Sequence, residues 1–108
     1  METSNRILDD LLKEFSLPHV EERIPREVFY RLGLKFPQQY AIAARDVRGC
    51  VKRAEAVGAG PFLVATIPAP NWVERGTLIK DCRLELALGY AGDRQVEFLG
   101  PGKGTQHY

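Results

Sequence analysis

The sequence has little of what metal clusters, disulfide scaffolds and membrane spans require. It contains only two cysteines and two histidines, and Cys50 and Cys82 have no CxxC spacing, so no Cys/His zinc site can be assembled. No apolar run approaches the roughly 18 residues of a transmembrane helix, and the first residues are polar. We therefore expect a cytoplasmic protein without a membrane partner.

An excess of charge of one sign is also missing. Fifteen Lys and Arg residues stand against fourteen Asp and Glu residues, which gives a formal net charge of +1. The basic residues are scattered singly, whereas nucleic-acid binding needs a clustered basic surface, so no nucleic-acid partner is indicated. Hydrophobic residues make up 44% of the 108 residues. This hydrophobic content is enough for one folded domain with a modest core, and the chain is too short for two domains.

What is present begins with two short helical patterns. Apolar residues recur at helical spacing from Ile7 to Phe15. A second helix is predicted from Pro25 to Gly33, a glycine suited to the left-handed conformation that ends helices. The two helices form an N-terminal extension over residues 1–36. Packing on the sheet or on a partner subunit is the plainer role of their apolar faces, and docking of a peptide or a membrane is the alternative.

From residue 37 to residue 100 the pattern is strand, helix, strand, strand, strand. An extended run at 39–44 leads to Asp46, a good N-cap, and to a helix that ends at Gly58. Further strands, separated by turns, are predicted for residues 62–67, 77–90 and 94–99. Residues 101–108 are expected to form a flexible tail. The predicted fold class is α+β: one βαβββ module with a curved, mixed four-stranded sheet, preceded by a short helical arm.

The order of these elements and several short strings resemble one module of the vicinal oxygen chelate superfamily, which includes glyoxalases, bleomycin-resistance proteins and dioxygenases. The strings are YAIAARD at 40–46, GAGPF at 58–62, LELALGY at 84–90 and QVEFL at 95–99. The resemblance covers residues 38–99. Each string is short, so the specificity of the resemblance lies in their order and spacing.

The resemblance implies a metal site. Each module of this family supplies one ligand from its first strand, usually His and in some glyoxalase I enzymes Gln, and one Glu from its fourth strand. Gln39 and Glu97 stand at these positions. The resemblance thus implies a divalent ion, Zn, Ni, Mn or Mg, held by Gln39 and Glu97, with Glu97 as the catalytic residue that moves a proton.

Glu97 is also notable independently of any family. It lies between Val96 and Phe98, and a buried carboxylate is costly without a cation or hydrogen-bond partners. Side-chain alternation predicts that Gln39 and Glu97 share the sheet face opposite the helix that begins at Asp46. The plainer alternative for both residues is a side chain that faces solvent.

Five further residues are weighed for the site. Arg83 and Glu85 alternate with apolar residues, so they are expected to share a face, and Arg83 there would hold a substrate carboxylate. A cross-strand ion pair is the plainer account of the two. Phe62 and Trp72 offer ring surface to an apolar ligand. His107 is a candidate proton carrier in the tail, although no motif supports this role over that of a surface residue.

The chain departs from the family because it carries one module where a complete site needs two. We therefore expect a homodimer, which would offer Gln39 and Glu97 twice and would cover the sheet face that has no helix. Two classes of function stay open: a metal-dependent lyase or isomerase of the glyoxalase type acting on a small oxygenated substrate, and a non-catalytic small-molecule-binding module of the bleomycin-resistance type. A third alternative is a divergent half-domain whose partner module lies on another chain.

Overall fold

One mixed sheet and three helices make up the described part of the chain. A computed structural model describes residues 5–19, 25–34 and 39–104. Its elements are α1 (Arg6–Glu14), α2 (Arg26–Arg31), β1 (Gln39–Ala43), α3 (Val47–Ala56), β2 (Leu63–Pro68), β3 (Val73–Glu74), β4 (Thr77–Leu78), β5 (Arg83–Ala91) and β6 (Arg94–Lys103). The four long strands form a curved sheet in the order β1-β6-β5-β2, and β3 and β4 form a separate hairpin. The α+β class and the mixed four-stranded sheet are therefore confirmed.

The last strand lies in the interior of the sheet. β1 pairs with β6 in parallel, while β6 with β5 and β5 with β2 are antiparallel pairs. A parallel pair needs a long crossover connection between its strands. Here α3, β2 and β5 all lie within that connection.

Local capping explains where two of the helices begin. The side-chain oxygen of Asn5 accepts a hydrogen bond from the Leu8 amide at 3.0 Å, and its amide nitrogen donates to the Ala91 carbonyl at 2.8 Å. The start of α1 is thereby fixed to the end of β5. Asp46 caps α3 by accepting from the Gly49 amide at 3.0 Å, which confirms the N-cap predicted from the sequence.

Two predicted boundaries are wrong. The expected strand 77–90 is divided, because residues 77–78 pair within the hairpin and Asp81 has a φ of +56°, which breaks an extended chain. The expected tail is wrong for residues 101–103, which continue β6, with Pro101 opposite Leu84. On its β1 side β6 has no described partner beyond Leu99, and strands tolerate proline at such edges. Residues 105–108, including His107, lie outside the described residues.

The core lies on one face of the sheet, beneath α1 and α3. Its buried side chains come from α1, α3, β5 and β6 and include Leu8, Leu11, Leu12, Val51, Ala54, Ala87, Val96 and Phe98. Arg53 of α3 holds α1 in place: its Nε lies 3.1 Å from Glu14 Oε1, and its guanidinium lies 4.3 Å from the centre of the Phe15 ring. The first helix of the N-terminal extension is therefore part of the core.

Helix α2 differs from α1 because none of its residues is buried. At and after its end, Leu32 and Leu34 are 67% and 54% exposed. Gly33 between them has a φ of +71°, as expected for a glycine that ends a helix. None of the helices that the structure describes is long and apolar enough to cross a membrane.

Gly100→Ala tests a close approach of β6 to the segment where α3 begins. A methyl group at this position would overlap the Ala44 carbonyl oxygen and lie 2.8 Å from a methyl carbon of Val47. Because backbone and core must shift, we expect the free energy of unfolding to fall by about 3 kcal/mol in urea titrations. Gly76→Ala is the control, since its added methyl meets nothing within 4 Å and only a φ of +80° opposes it. If Gly100→Ala lowered the free energy of unfolding no more than Gly76→Ala does, this account would be contradicted.

Candidate functional site

None of the helices among residues 5–19, 25–34 and 39–104 belongs to the core on the second face of the sheet, and we call this face the open face. Val96 and Phe98 of β6 point into the core, so their neighbours along the strand point the other way. The strand pairings then define the open face as Gln39, Ala41 and Ala43 of β1, Gln95, Glu97 and Leu99 of β6, Leu84, Leu86, Leu88 and Tyr90 of β5, and Leu63, Ala65 and Ile67 of β2. Leu84 is buried, with 8% of its surface exposed. The prediction that Gln39 and Glu97 share the face opposite α3 is confirmed.

Glu97 lies in a row of apolar residues that crosses the open face. Ala41 is its partner on β1, Leu88 is its partner on β5, and Leu63 follows on β2. The Glu97 side chain is half-buried. Within the described part of the chain, its carboxylate has neither a hydrogen bond nor an ion pair. A carboxylate among apolar neighbours, without a partner among the described residues, favours a cation or a hydrogen-bond donor at this position.

The neighbouring row supplies the other polar groups of the open face. Gln39, Gln95 and Tyr90 lie side by side on β1, β6 and β5. Gln39 and Glu97 are one strand and two residues apart, a Cα separation of about 8 Å that two long side chains can bridge. We call Gln39, Gln95, Tyr90 and Glu97 the polar corner. Gln95 and Tyr90 were not among the residues predicted from the sequence, although alternation from Glu97 and Leu88 would have indicated them.

Arg83 and Glu85 do not belong to the polar corner. Glu85 points to the helix side of the sheet, where its carboxylate lies 3.8 Å from Arg48 of α3, and Arg83 lies 3.5 Å from Asp81. Neither of these contacts is the expected cross-strand ion pair, since Arg48 lies in a helix and Asp81 lies just before the strand that carries Arg83. The reason is that the small residues of β5, Ala87, Gly89 and Ala91, face the helices, so Glu85 shares their side.

Phe62 and Trp72 are also held away from Glu97. The Phe62 ring packs 5.6 Å from the Phe98 ring on the core side. Trp72 is half-buried near the hairpin, and its indole nitrogen donates to Glu74 at 2.9 Å. Their expected role as ring surface around the polar corner finds no support in these positions, although Phe62 lines a neighbouring groove.

That groove lies between the start of β2 and the end of β5. Its volume is about 320 Å³, and its walls are Pro61, Phe62, Leu63, Leu88, Gly89 and Tyr90. Leu88 is also the direct neighbour of Glu97. The groove and the polar corner are therefore adjacent regions of one surface.

The two cysteines are not activated nucleophiles. Both are free, Cys50 half-buried in α3 and Cys82 buried before β5. Burial raises the pKa of both thiols, with the nearby Glu74 carboxylate adding to the effect at Cys82. A raised pKa disfavours the reactive thiolate at both positions.

The described residues of one protomer offer a divalent ion too few ligands. The polar corner has one carboxylate, and the structure shows no cluster of three His, Cys, Asp or Glu residues suited to a metal within the ranges it describes. Divalent ions such as Mg²⁺ and Mn²⁺ prefer about six oxygen ligands, some of them water. The oxygen donors of Gln39 and Glu97 fit such an ion only if a second copy supplies the same pair.

Comparison with protein-family models, with curated proteins and with solved structures finds no match to this chain. The resemblance to the vicinal oxygen chelate superfamily therefore stays a prediction. What the chain does has to follow from the chemistry of the open face.

Proposed function

We propose that the chain is a glyoxalase-like vicinal oxygen chelate protein. In this proposal two copies hold a divalent metal ion between their open faces, and through it a small oxygenated molecule. The supporting observation is the half-buried Glu97 carboxylate, which has no partner within the described residues and shares a face with Gln39. The βαβββ order of the elements that build the sheet agrees with this proposal.

The homodimer follows from the uncovered apolar surface. Both α1 and α3 pack on the opposite face, while Leu63 and Tyr90 on the open face are 68% and 55% exposed. Covering apolar surface contributes roughly 25 cal/mol for each Å². A two-fold axis through the open faces would place two copies of Gln39 and Glu97 around one cavity.

The chemistry divides between the ion and the protein. A divalent ion, when bound, would polarise the substrate oxygens that it contacts. Gln39 would contribute an uncharged amide oxygen, and one Glu97 carboxylate would accept a proton from the carbon next to a carbonyl group. Ala41 and Leu88 on either side would keep water from that carboxylate. This corresponds to a lyase or isomerase reaction.

A second candidate is binding without metal or catalysis, as in bleomycin-resistance proteins. The observation that favours it is the apolar majority of the open face, where Leu88 lines the groove and Leu86 and Leu99 form the next row of the sheet. A cavity with apolar walls and few polar groups is typical of sites that bind small molecules.

Titration calorimetry of chelator-treated protein with Mn²⁺, Mg²⁺, Ni²⁺ and Zn²⁺ distinguishes the two. We expect one ion for every two chains and a higher melting temperature on binding. Glu97→Gln keeps the side-chain size and removes the charge, so we expect binding to weaken more than about 100-fold, beyond the effect of losing an outer-shell contact. Glu85→Gln is the matched control, because Glu85 is a half-buried glutamate on the opposite face.

The outcomes separate cleanly. An equal loss of metal affinity in the Glu85→Gln and Glu97→Gln variants would show a general charge effect and contradict the proposed metal site. If no ion binds but apolar molecules raise the melting temperature, the metal-free candidate is favoured. Sedimentation that shows only a 12.1 kDa species at micromolar concentration would exclude the shared cavity.

A further inference from the structure

We infer that the free edge of β2 pairs with β2 of a second copy, so that the two four-stranded sheets join into one. β2 (Leu63–Pro68) is the last strand in the order β1-β6-β5-β2, and no described strand pairs with its outer edge. This edge contact is separate from the pairing of the open faces, and it needs no metal.

Hydrogen-bond alternation determines which backbone groups of β2 face outward. The Ala69 amide donates to the Cys82 carbonyl at 2.9 Å, and these two residues continue the register of β2 with β5. Residues of an antiparallel pair alternate between bonding to the neighbouring strand and pointing away from it. Every second residue back from Ala69 therefore bonds to β5, which gives Ile67, Ala65 and Leu63. The N–H and C=O groups of Val64 and Thr66 point to the free edge.

Pro68 agrees with this assignment. Proline has no N–H group, so a strand accepts it where that group would point away from the sheet. Pro68 lies two residues beyond Thr66 and therefore has its backbone nitrogen on the free edge as well. A partner strand finds no donor at that position. The outward donors of β2 are thus the N–H groups of Val64 and Thr66.

These two residues are spaced for a two-fold pair of identical strands. If Ala65 lies on the axis opposite its own copy, Val64 lies opposite the second copy's Thr66, and Thr66 lies opposite the second copy's Val64. Each of these two residue pairs exchanges two hydrogen bonds. One symmetric partner therefore satisfies all four groups that Val64 and Thr66 direct outward.

The side chains on the open face fit the same register. Leu63 would lie beside the second copy's Ile67, and these residues are 68% and 36% exposed in one protomer. Ala65 on the axis is small, which suits the Cα separation of about 4.5 Å in a pair without hydrogen bonds. Joining the edges therefore covers apolar side chains as well as backbone groups.

β2 lacks the features that keep edge strands from pairing, such as lysines, inward-pointing charges and bulges. Residues 63–68 carry no charge, and their pairing with β5 runs in continuous register. The other edge strand, β1, directly follows residues 35–38, which lie outside the described ranges. An unprotected edge favours the addition of a strand, and the self-complementary spacing of Val64 and Thr66 favours a second copy as the source.

Disulfide crosslinking of the chelator-treated chain tests the register. Across the axis, the Cβ atoms of the two copies of residue 65 would be about 4.5–5.5 Å apart, close to disulfide geometry. Ile67→Cys is the matched control, because it lies on the same face of the same strand but its two copies would be about 13 Å apart. In a glutathione redox buffer we expect Ala65→Cys to give at least about tenfold more covalent dimer than Ile67→Cys. The unsubstituted chain, which has two free cysteines, gives the background.

Thr66→Pro separates the edge contact from the pairing of the open faces. It removes one donor from each strand across the axis, whereas the bonds between β2 and β5 do not use this N–H group. We expect association through the edge to weaken at least about tenfold. The average mass in sedimentation should then fall by about half, and the covalent dimer of Ala65→Cys should decrease with it.

Equal crosslinking at residues 65 and 67, or an average mass that Thr66→Pro leaves unchanged, would overturn the inference. If Thr66→Pro also lowers the melting temperature, Ala65→Lys replaces it, because two like charges would then lie opposite each other on the axis. An average mass that Ala65→Lys leaves unchanged would overturn the inference as well. Since the buffer contains chelator, the edge contact succeeds or fails independently of the metal site.

Discussion

Replacing Phe98 with alanine is expected to lower the free energy of unfolding by about 3–5 kcal/mol. Phe98 is fully buried, and its ring centre lies 5.3 Å from that of Phe15 and 5.6 Å from that of Phe62. It therefore joins the end of α1 to the start of β2 across the middle of the sheet. The removed ring leaves a cavity that these neighbours cannot fill.

Equilibrium unfolding in urea measures the effect of Phe98→Ala. Phe98→Leu, which keeps most of the volume, should cost less than about 1.5 kcal/mol. Tyr90→Ala is a control on the adjacent strand, because Tyr90 is 55% exposed and its loss should cost far less. A loss below 1 kcal/mol for Phe98→Ala, on the order of a surface change, would place the ring outside the core.

Leu11→Ala is expected to cost about 2–5 kcal/mol. Leu11 is 0% exposed and belongs to the core cluster with Leu8 and Leu12, so its truncation leaves a cavity between α1, α3 and the sheet. Leu32→Ala, at the end of α2 where the side chain is 67% exposed, should stay within about 0.5 kcal/mol.

The Leu11 and Leu32 variants together decide which part of the N-terminal extension belongs to the core. Equal costs for the two would show that α1 does not pack as described. If only Leu11→Ala is costly, α1 is committed to the helix side of the sheet and cannot cover the open face. That result would strengthen the argument for a second copy.

Most of the secondary structure could be predicted from local patterns. The N-cap at Asp46, the end of α2 near Gly33 and the strand-helix-strand order depend on residues close in sequence, and each was confirmed. The shared face of Gln39 and Glu97 was also confirmed, because an apolar strand next to a helix leaves little choice about which side is buried.

The surroundings of Glu97 could not be predicted in the same way. Strand β5 alternates large Leu with small Ala and Gly residues, and both sets are apolar enough for a core. Only close packing of α1 and α3 selects the small residues for the helix side, which sends Leu86 and Leu88 outward and Glu85 inward. The break at Asp81 similarly depends on a left-handed backbone that hydrophobic alternation does not indicate.

The sequence left the partner of the N-terminal helices open between the sheet and another subunit. For α1 the sheet is the partner, through Leu8, Leu11 and Leu12. For α2 the packing partner is still a prediction, because Leu32 and Leu34 near its end are exposed. The difference is physical, since α1 presents three leucines at helical spacing, whereas α2 is too short to form such a stripe.

The interior position of β6 has a consequence for biosynthesis. Because β6 separates β1 from β5, the ribosome releases β1, α3, β2 and β5 before the strand that joins them exists outside the exit tunnel. Until residues 94–103 emerge, β1 has no neighbour among the described strands with which to pair, and the leucines of α1 have neither Val96 nor Phe98 to pack against. Pairing between strands that are far apart in sequence, such as β1 and β6, is slow compared with the formation of hairpins. The nascent chain therefore exposes β1 and the apolar side of α1 to chaperones throughout most of its synthesis.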